Sequence, residues 1–232
     1  FFDLYKEAHT PWEWHEKLFK VAKDLGIICF SSPFDFSAVD FLENLNNPIY
    51  KIASFEITDI PLIDYIASKN KPIILSTGIA EKSDIELALK TIKKKNSNKI
   101  ILLKCTSSYP APTGEANLIT LTDYSKTFGV IPGLSDHTLG ITAPIVATTL
   151  GAKVIEKHFM VDKSVGGPDS KFSLDEKDFS EMVKKVREAE ELIGNLRYDL
   201  TKKQIEGRDF ARSLYIIKDV KKGDLLNEEN IR

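Results

Sequence analysis

The sequence predicts an α/β protein built on a parallel sheet, and three observations carry that expectation. Amphipathic helices alternate along the chain with short strands. The strands are apolar throughout rather than alternating, the pattern of a sheet covered on both faces. Hydroxyls, lysines and histidines gather where those strands run out, at the rim where such folds place their chemistry. Two closures satisfy this order: a doubly wound open sheet and an eight-stranded barrel. No G-x-G-x-x-G follows any strand, which weakens the dinucleotide-binding version. Six strands can be counted in the sequence. A barrel would therefore place two further βα units ahead of Phe1.

Each element has a local cause. Thr10-Pro11-Trp12-Glu13 reads as a helix start, with Thr10 as cap, Pro11 at the first helical position and Glu13 completing a capping box. Trp14, Leu18, Val21, Ala22 and Leu25 share one face of that helix, and Gly26 stops it. Ile27 to Phe30 follows as a continuous apolar strand. Tyr50 to Ser54 is a strand, Pro61 to Ser68 a helix and Pro72 to Leu75 a strand. Ser83-Asp84-Ile85-Glu86 reads as a second capping box, opening a helix with Ile85, Ala88, Leu89 and Ile92 on one face. Ile100 to Cys105 and Val130 to Leu134 are strands, and Ile141 to Leu150 is a helix closed by Gly151. Val154 to Ile155 opens the last strand. A long helix from about Leu174 to Ile193 buries Phe179, Met182, Val183, Val186 and Ala189.

After Gly194 the character changes. Residues 1–195 form the barrel domain, residues 196–210 read as a polar linker, and residues 211–232 open a small second domain. In that last stretch Ser213 to Ile217 is a strand, Lys221-Lys222-Gly223-Asp224 a turn, and Asn227-Glu228-Glu229 the cap of a short helix. The chain starts at Phe1 without methionine and stops as a new unit opens, so both ends read as cut.

Bulk properties exclude several classes. A hydrophobic content of 42%, a charged content of 28% and a net charge of -2 describe an ordinary globular protein. Acids and bases are interspersed, leaving no nucleic-acid footprint. No apolar run approaches the ~20 residues that span a bilayer, and no secretory leader is visible. Cys29 and Cys105 fall inside predicted strands and read as small buried hydrophobes in a reducing compartment. The cytoplasm is the expected location.

Two of the four histidines stand out. His137 and His158 each close a predicted strand, so parallel neighbours would bring both imidazoles to one end of the sheet. Such a pair either holds a divalent metal or serves as two hydrogen-bonded rim residues. The other strand ends deliver Ser31 and Ser32; Lys51, Ser54 and Glu56; Ser76, Thr77 and Gly78; Lys104, Thr106, Ser107, Ser108 and Tyr109; Ser135 and Asp136; Glu156 and Lys157. Hydroxyls and lysines suit a phosphate or carboxylate substrate. Lys51, inside an apolar strand, either snorkels or clamps an anion. Glu56 is either solvated or a general base. Asp169, in Gly166-Gly167-Pro168-Asp169-Ser170, sits on a loop that is either a turn or a binding element.

Together these segments resemble a known family. Phe30-Ser31-Ser32-Pro33-Phe34, Tyr50-Lys51-Ile52-Ala53-Ser54-Phe55-Glu56, Leu75-Ser76-Thr77-Gly78, Cys105-Thr106-Ser107-Ser108-Tyr109-Pro110, Gly133-Leu134-Ser135-Asp136-His137-Thr138 and Glu156-Lys157-His158-Phe159 look like the motif series of the sialic acid synthase family, in order and spacing. Arg212-Ser213-Leu214 and Lys218-Asp219-Val220-Lys221-Lys222-Gly223 are similar to the start of that family's antifreeze-like (SAF) domain. Gly166 to Ser173 and the opening Leu4 to His15 resemble its pseudaminic acid synthase branch.

The resemblance implies a (β/α)8 TIM barrel with its first two βα units absent from this chain. It implies condensation of phosphoenolpyruvate with 2,4-diacetamido-2,4,6-trideoxy-L-altrose, with C–O cleavage and release of phosphate, to form pseudaminic acid. A divalent metal, manganese or else magnesium or cobalt, would be held by His137 and His158 and polarise the sugar aldehyde. Ser32, Lys51, Ser54, Ser76, Ser107 and Ser135 match residues that hold phosphoenolpyruvate, although Ser32 and Ser107 stand where relatives can carry threonine and asparagine. Tyr109 and Asp169 match sugar contacts, and Glu56 matches a carboxylate near the reacting centre. The family also uses a glutamate, a lysine and a glutamine on its first two strands and an arginine from the SAF domain, none of which lies in this chain. It works as a domain-swapped homodimer. A barrel without two of its strands has exposed edges and lacks part of its site, so residues 1–232 alone are expected to be inactive. The alternatives are an N-acetylneuraminic or legionaminic acid synthase, a non-catalytic sugar- or phosphate-binding protein on the same scaffold, and a barrel metal hydrolase, which would want more metal ligands.

Overall fold

Five short apolar segments lie side by side as parallel strands: β1 (Tyr50–Ile52), β2 (Ile73–Ser76), β3 (Ile100–Cys105), β4 (Ile131–Asp136) and β5 (Val154–Lys157). They come from a computed structural model that describes residue 6, residues 9–95 and residues 99–232. The helices are α1 (Trp12–Asp24), α2 (Phe36–Asn44), α3 (Ile60–Ser68), α4 (Lys82–Lys94), α5 (Leu121–Phe128), α6 (Thr142–Thr149), α7 (Glu176–Ile193) and α8 (Lys202–Gly207). The chain divides into two compact units, Phe1–Ile193 and Gly194–Arg232.

Strand order decides between the two closures. It runs β1-β2-β3-β4-β5 in strict sequence, every pair parallel. A doubly wound sheet reverses its order at a switch point, and this one does not. Curvature points the same way. Across a flat sheet β1 and β5 would be about 19 Å apart, four spacings of about 4.8 Å. Yet Lys51 Nζ on β1 lies 3.4 Å from Glu156 Oε1 on β5. The sheet curls as a TIM barrel does, with β1 and β5 converging across its interior.

Helices cover the outside of the sheet. Tyr50, Ile52, Ile73, Leu75, Ile100 and Leu102 pack against Leu62, Ile63 and Ile66 of α3 and Ile85, Ala88, Leu89 and Ile92 of α4 in the main core. The face predicted for α4 is the buried one. Its cap differs: Glu81 precedes the helix and its N–H donates to Asp84 Oδ2 at 2.9 Å, two residues ahead of the predicted box. No helix among the described residues is long and apolar enough to cross a membrane.

The amino-terminal edge departs from expectation. Ile27 to Phe30 does not form a strand; a single parallel bridge, Ser31 to Tyr50, is what remains of it. Ile27 and Ile28 are exposed, and Cys29 is only partly buried. In α1 the helix starts at Trp12 with Pro11 as cap, and Thr10 makes no capping bond. Of the predicted apolar face only Ala22 is buried, while Trp14, Leu18, Val21 and Leu25 are exposed. A helix buries its stripe only where a layer faces it, and no strand lies beyond this bridge among the described residues. In α7 Met182 and Ala189 are buried as predicted, but Val183 is exposed. Of the opening segment Leu4 to His15, Leu4, Tyr5, Glu7 and Ala8 lie outside the described residues.

The second unit is small. Tyr215 and Arg232 exchange backbone hydrogen bonds at 2.7 and 2.9 Å, and Ile216 bridges Ile231 antiparallel. The segment read as linker contains α8, where Gln204 N–H donates to the Thr201 hydroxyl. Asn227 organises a turn rather than a helix.

Candidate active site

The carboxyl ends of the strands converge around one carboxylate. Glu156 Oε1 accepts from Ser135 Oγ at 2.7 Å and faces Lys51 Nζ at 3.4 Å. Lys51 is 7% exposed, so its charge is directed into the barrel rather than snorkelling out. Ser54 and Ser107 meet over Gly78, whose N–H donates to Ser54 Oγ at 3.0 Å. A methyl on Gly78 would lie 1.9 Å from Ser107 Oγ, 2.8 Å from Ser54 Oγ and 3.0 Å from Cys105 Sγ. Glycine is required because two hydroxyls and a thiol crowd the backbone there. Ser76 Oγ is buried without a hydrogen-bond partner, as is Glu56 Oε2. Burial raises the Glu56 pKa, opposed in part by the Lys51 charge. Buried polar atoms of this kind call for a partner, which a water, an ion or a ligand can supply.

We expect Gly78→Ala to weaken anion binding at this rim more than it weakens folding. Serine hydroxyls can rotate away, so the stability cost should stay at about 1–2 kcal/mol. Both hydroxyls leave their positions in doing so. Titration with phosphoenolpyruvate against urea unfolding separates the two effects, and unchanged affinity would contradict this placement.

The two histidines do meet. β4 and β5 pair Asp136 with Lys157, so the residues that follow, His137 and His158, emerge side by side. Their ring centroids are 5.2 Å apart. His137 Nδ1 lies 3.2 Å from Thr106 O and 3.8 Å from Cys105 Sγ. Donation from Nδ1 to that carbonyl leaves Nε2 with a free lone pair. Tyr109 packs 4.4 Å from the His137 ring, and Phe172 lies 4.8 Å from His158. Asp169 Oδ2 stands 3.5 Å from His158 Nδ1. Burial lowers both imidazole pKa values, and His137 pushes His158 down further.

Those shifts have a signed consequence. An unfolded imidazole protonates near pH 6.5 and the folded ones at lower pH, so between these points the unfolded state binds more protons. The histidines' contribution is intact above about pH 6.5 and is lost as pH falls towards the folded values. Urea midpoints at pH 7.5 and 5.5 should therefore differ more for this protein than for a His137→Asn/His158→Asn variant. Equal differences would contradict the shifts.

Most predicted site residues thus come together: Lys51, Ser135, Ser54 and Ser107 around the rim, and Tyr109, His137, His158 and Asp169 beside it. Ser32 does not join by hydrogen bonding among the described residues; it lines a concavity with Trp12, His15, Phe34 and Phe41. Sequence reasoning passed over Glu156 as a site residue, although a charge inside an apolar strand is the signal that singled out Lys51. It also passed over Phe172, an apolar residue in a polar loop that is 2% exposed. The third omission is an ion pair between Lys157 Nζ and Asp136 Oδ2 at 2.6 Å, with side chains 0% and 2% exposed.

Fold and site together define a TIM-barrel-like protein whose rim carries a buried lysine, several serine hydroxyls and two histidines. Residues 1–198 match the NeuB family, and the chain belongs to it. A pseudaminic acid synthase of Helicobacter pylori is 47% identical over 232 residues, covering 100% of this chain and 68% of that protein. One from Campylobacter jejuni is 46% identical over 231 residues, covering 100% and 67%. The chain spans about two thirds of the length of both relatives. The crystal structure of N-acetylneuraminic acid synthetase from Leptospira borgpetersenii, in complex with citrate, superposes with a TM-score of 0.83 at 32% identity, covering 90% of this chain and 74% of that one. The resemblance drawn from the motifs to the sialic acid synthases, and to their pseudaminic acid branch, therefore holds.

Proposed function

We propose that this chain carries the barrel site of a synthase that condenses phosphoenolpyruvate with 2,4-diacetamido-2,4,6-trideoxy-L-altrose to give pseudaminic acid and phosphate. The convergence of Lys51, Ser54, Ser107 and Ser135 beside two imidazoles carries the reading, with the unpartnered Ser76 hydroxyl at the end of β2. Lysine and serine hydroxyls suit the phosphate and carboxylate of phosphoenolpyruvate, which would take over the donors now shared with Glu156. Tyr109 and Asp169 lie next to the histidines, which supports assigning them to the sugar. Glu56, with its raised pKa and an open oxygen, can hold or accept a proton at the reacting carbons. Carbon 3 of phosphoenolpyruvate forms the new bond to the sugar aldehyde. Water adds at carbon 2, and the hemiketal phosphate collapses with C–O cleavage.

His137 and His158 fit a divalent cation such as manganese, magnesium or cobalt, because burial keeps both neutral. Among the described residues no group of three or more His, Cys, Asp or Glu could hold a metal, so water or substrate oxygens would complete the coordination. The cation would supply polarisation of the aldehyde oxygen. We read residues 211–232 as the opening of the antifreeze-like domain and the working protein as a cytoplasmic homodimer.

The test is phosphate release by the complete gene product, of which this chain is expected to be an inactive part, with manganese, phosphoenolpyruvate and three sugars. Release with the L-altro sugar alone is the expected result. Release only with N-acetylmannosamine or with the legionaminic acid precursor would overturn the substrate. The latter is the second reading, since an N,N'-diacetyllegionaminic acid synthase of Campylobacter jejuni is 40% identical over 220 residues.

A further inference from the structure

We propose that the buried Asp136–Lys157 ion pair is the positioning device that sets the spacing of His137 and His158; the functional meaning of that spacing rests on the metal-site reading above. The two residues face each other across the β4–β5 ladder, and each immediately precedes one of the histidines. Lys157 Nζ contacts Asp136 Oδ2 at 2.6 Å and also donates to Thr138 O. Asp136 Oδ1 accepts from Thr138 N–H at 2.9 Å. One lysine and one aspartate therefore clamp both sides of His137 to the strand that carries His158. A slip of β4 against β5 by one residue would break both bonds that Lys157 makes, to Asp136 and to Thr138.

Stability alone does not account for the pair. Side chains 0% and 2% exposed have surrendered nearly all hydration, and an apolar pair of similar volume often serves folding as well or better. What an apolar pair cannot supply is direction. Dispersion contacts tolerate a shift along the strand, whereas a charge-assisted bond of this length does not. The other polar cross-link between these strands, Ser135 to Glu156, lies one residue earlier in the ladder and is partly exposed. It leaves the last residues before the histidines to this pair.

The deciding variant is Asp136→Leu/Lys157→Met, with crystal structures and manganese titrations for parent and variant. A folded variant should show the His137–His158 centroid separation moved by at least about 1 Å from 5.2 Å, with manganese affinity down 10- to 100-fold, as for loss of groups that orient metal ligands. An unchanged separation in a folded variant overturns the proposal, whatever its stability. If the apolar pair prevents folding, Asp136→Asn keeps the shape and weakens the bond, and the same two measurements decide. Absence of manganese binding by the parent would sink the metal reading and leave the separation to judge the clamp.

Discussion

His158→Ala should lower divalent-metal affinity by a factor on the order of 100 or more, since loss of groups that merely orient metal ligands already costs 10- to 100-fold. Phosphate release should fall at least as far. On the proposed metal reading His137 and His158 are the donors, and His137 cannot turn to compensate, because its Nδ1 is engaged at Thr106 O. The imidazole also packs against Phe172 and stands beside Asp169, so both neighbours lose a partner. Folding should suffer far less, because the His158 side chain is 35% exposed. His15→Ala is the matched control: this imidazole bonds the carbonyl of Pro11, the cap of α1, and takes no part in the rim. Manganese titration by paramagnetic resonance gives the affinities directly. A change of less than threefold in His158→Ala would remove the metal from the account of this site.

The sequence made the interior of the sheet legible because its strands are buried on both faces. Runs such as Ile100 to Leu103 admit little besides a covered parallel strand. The side chains at their ends then follow from register: once β4 and β5 pair, His137 and His158 must be neighbours. Legibility failed where burial depends on what lies opposite. Ile27 to Phe30 is as apolar as any strand here, but apolarity records a capacity to be covered rather than the covering. It failed again for Glu156, whose significance comes from Lys51, a residue 105 positions away by number (156 − 51) and four strands distant in the sheet. Only curvature of the sheet brings them together. The helix starts differ from expectation by one or two residues because several residues with capping side chains fall close together, as Glu81 at the cap of α4 and Ser83 in its first turn do.

Gly133→Ala should cost about 3 kcal/mol of folding stability, the upper part of the range for overpacking. Gly133 lies inside β4, paired with Leu103 on β3 and Val154 on β5. A methyl there would stand 2.4 Å from Leu103 Cδ2, 2.7 Å from Val154 O and 3.1 Å from Val154 Cβ. The leucine methyl can turn aside. The Val154 carbonyl belongs to the backbone of β5 and cannot retreat without moving the strand. The strain therefore separates β4 from β5, the two strands that present the histidines and share the Asp136–Lys157 pair. Metal affinity should drop together with stability, in contrast to His158→Ala, where it drops alone. Gly114→Ala calibrates the comparison: no atom lies within 4 Å of its added methyl, so its cost should stay within about 0.5 kcal/mol. If urea unfolding places Gly133→Ala within 0.5 kcal/mol of the parent, the β4–β5 contact is looser than described, and the clamp built on it fails with it.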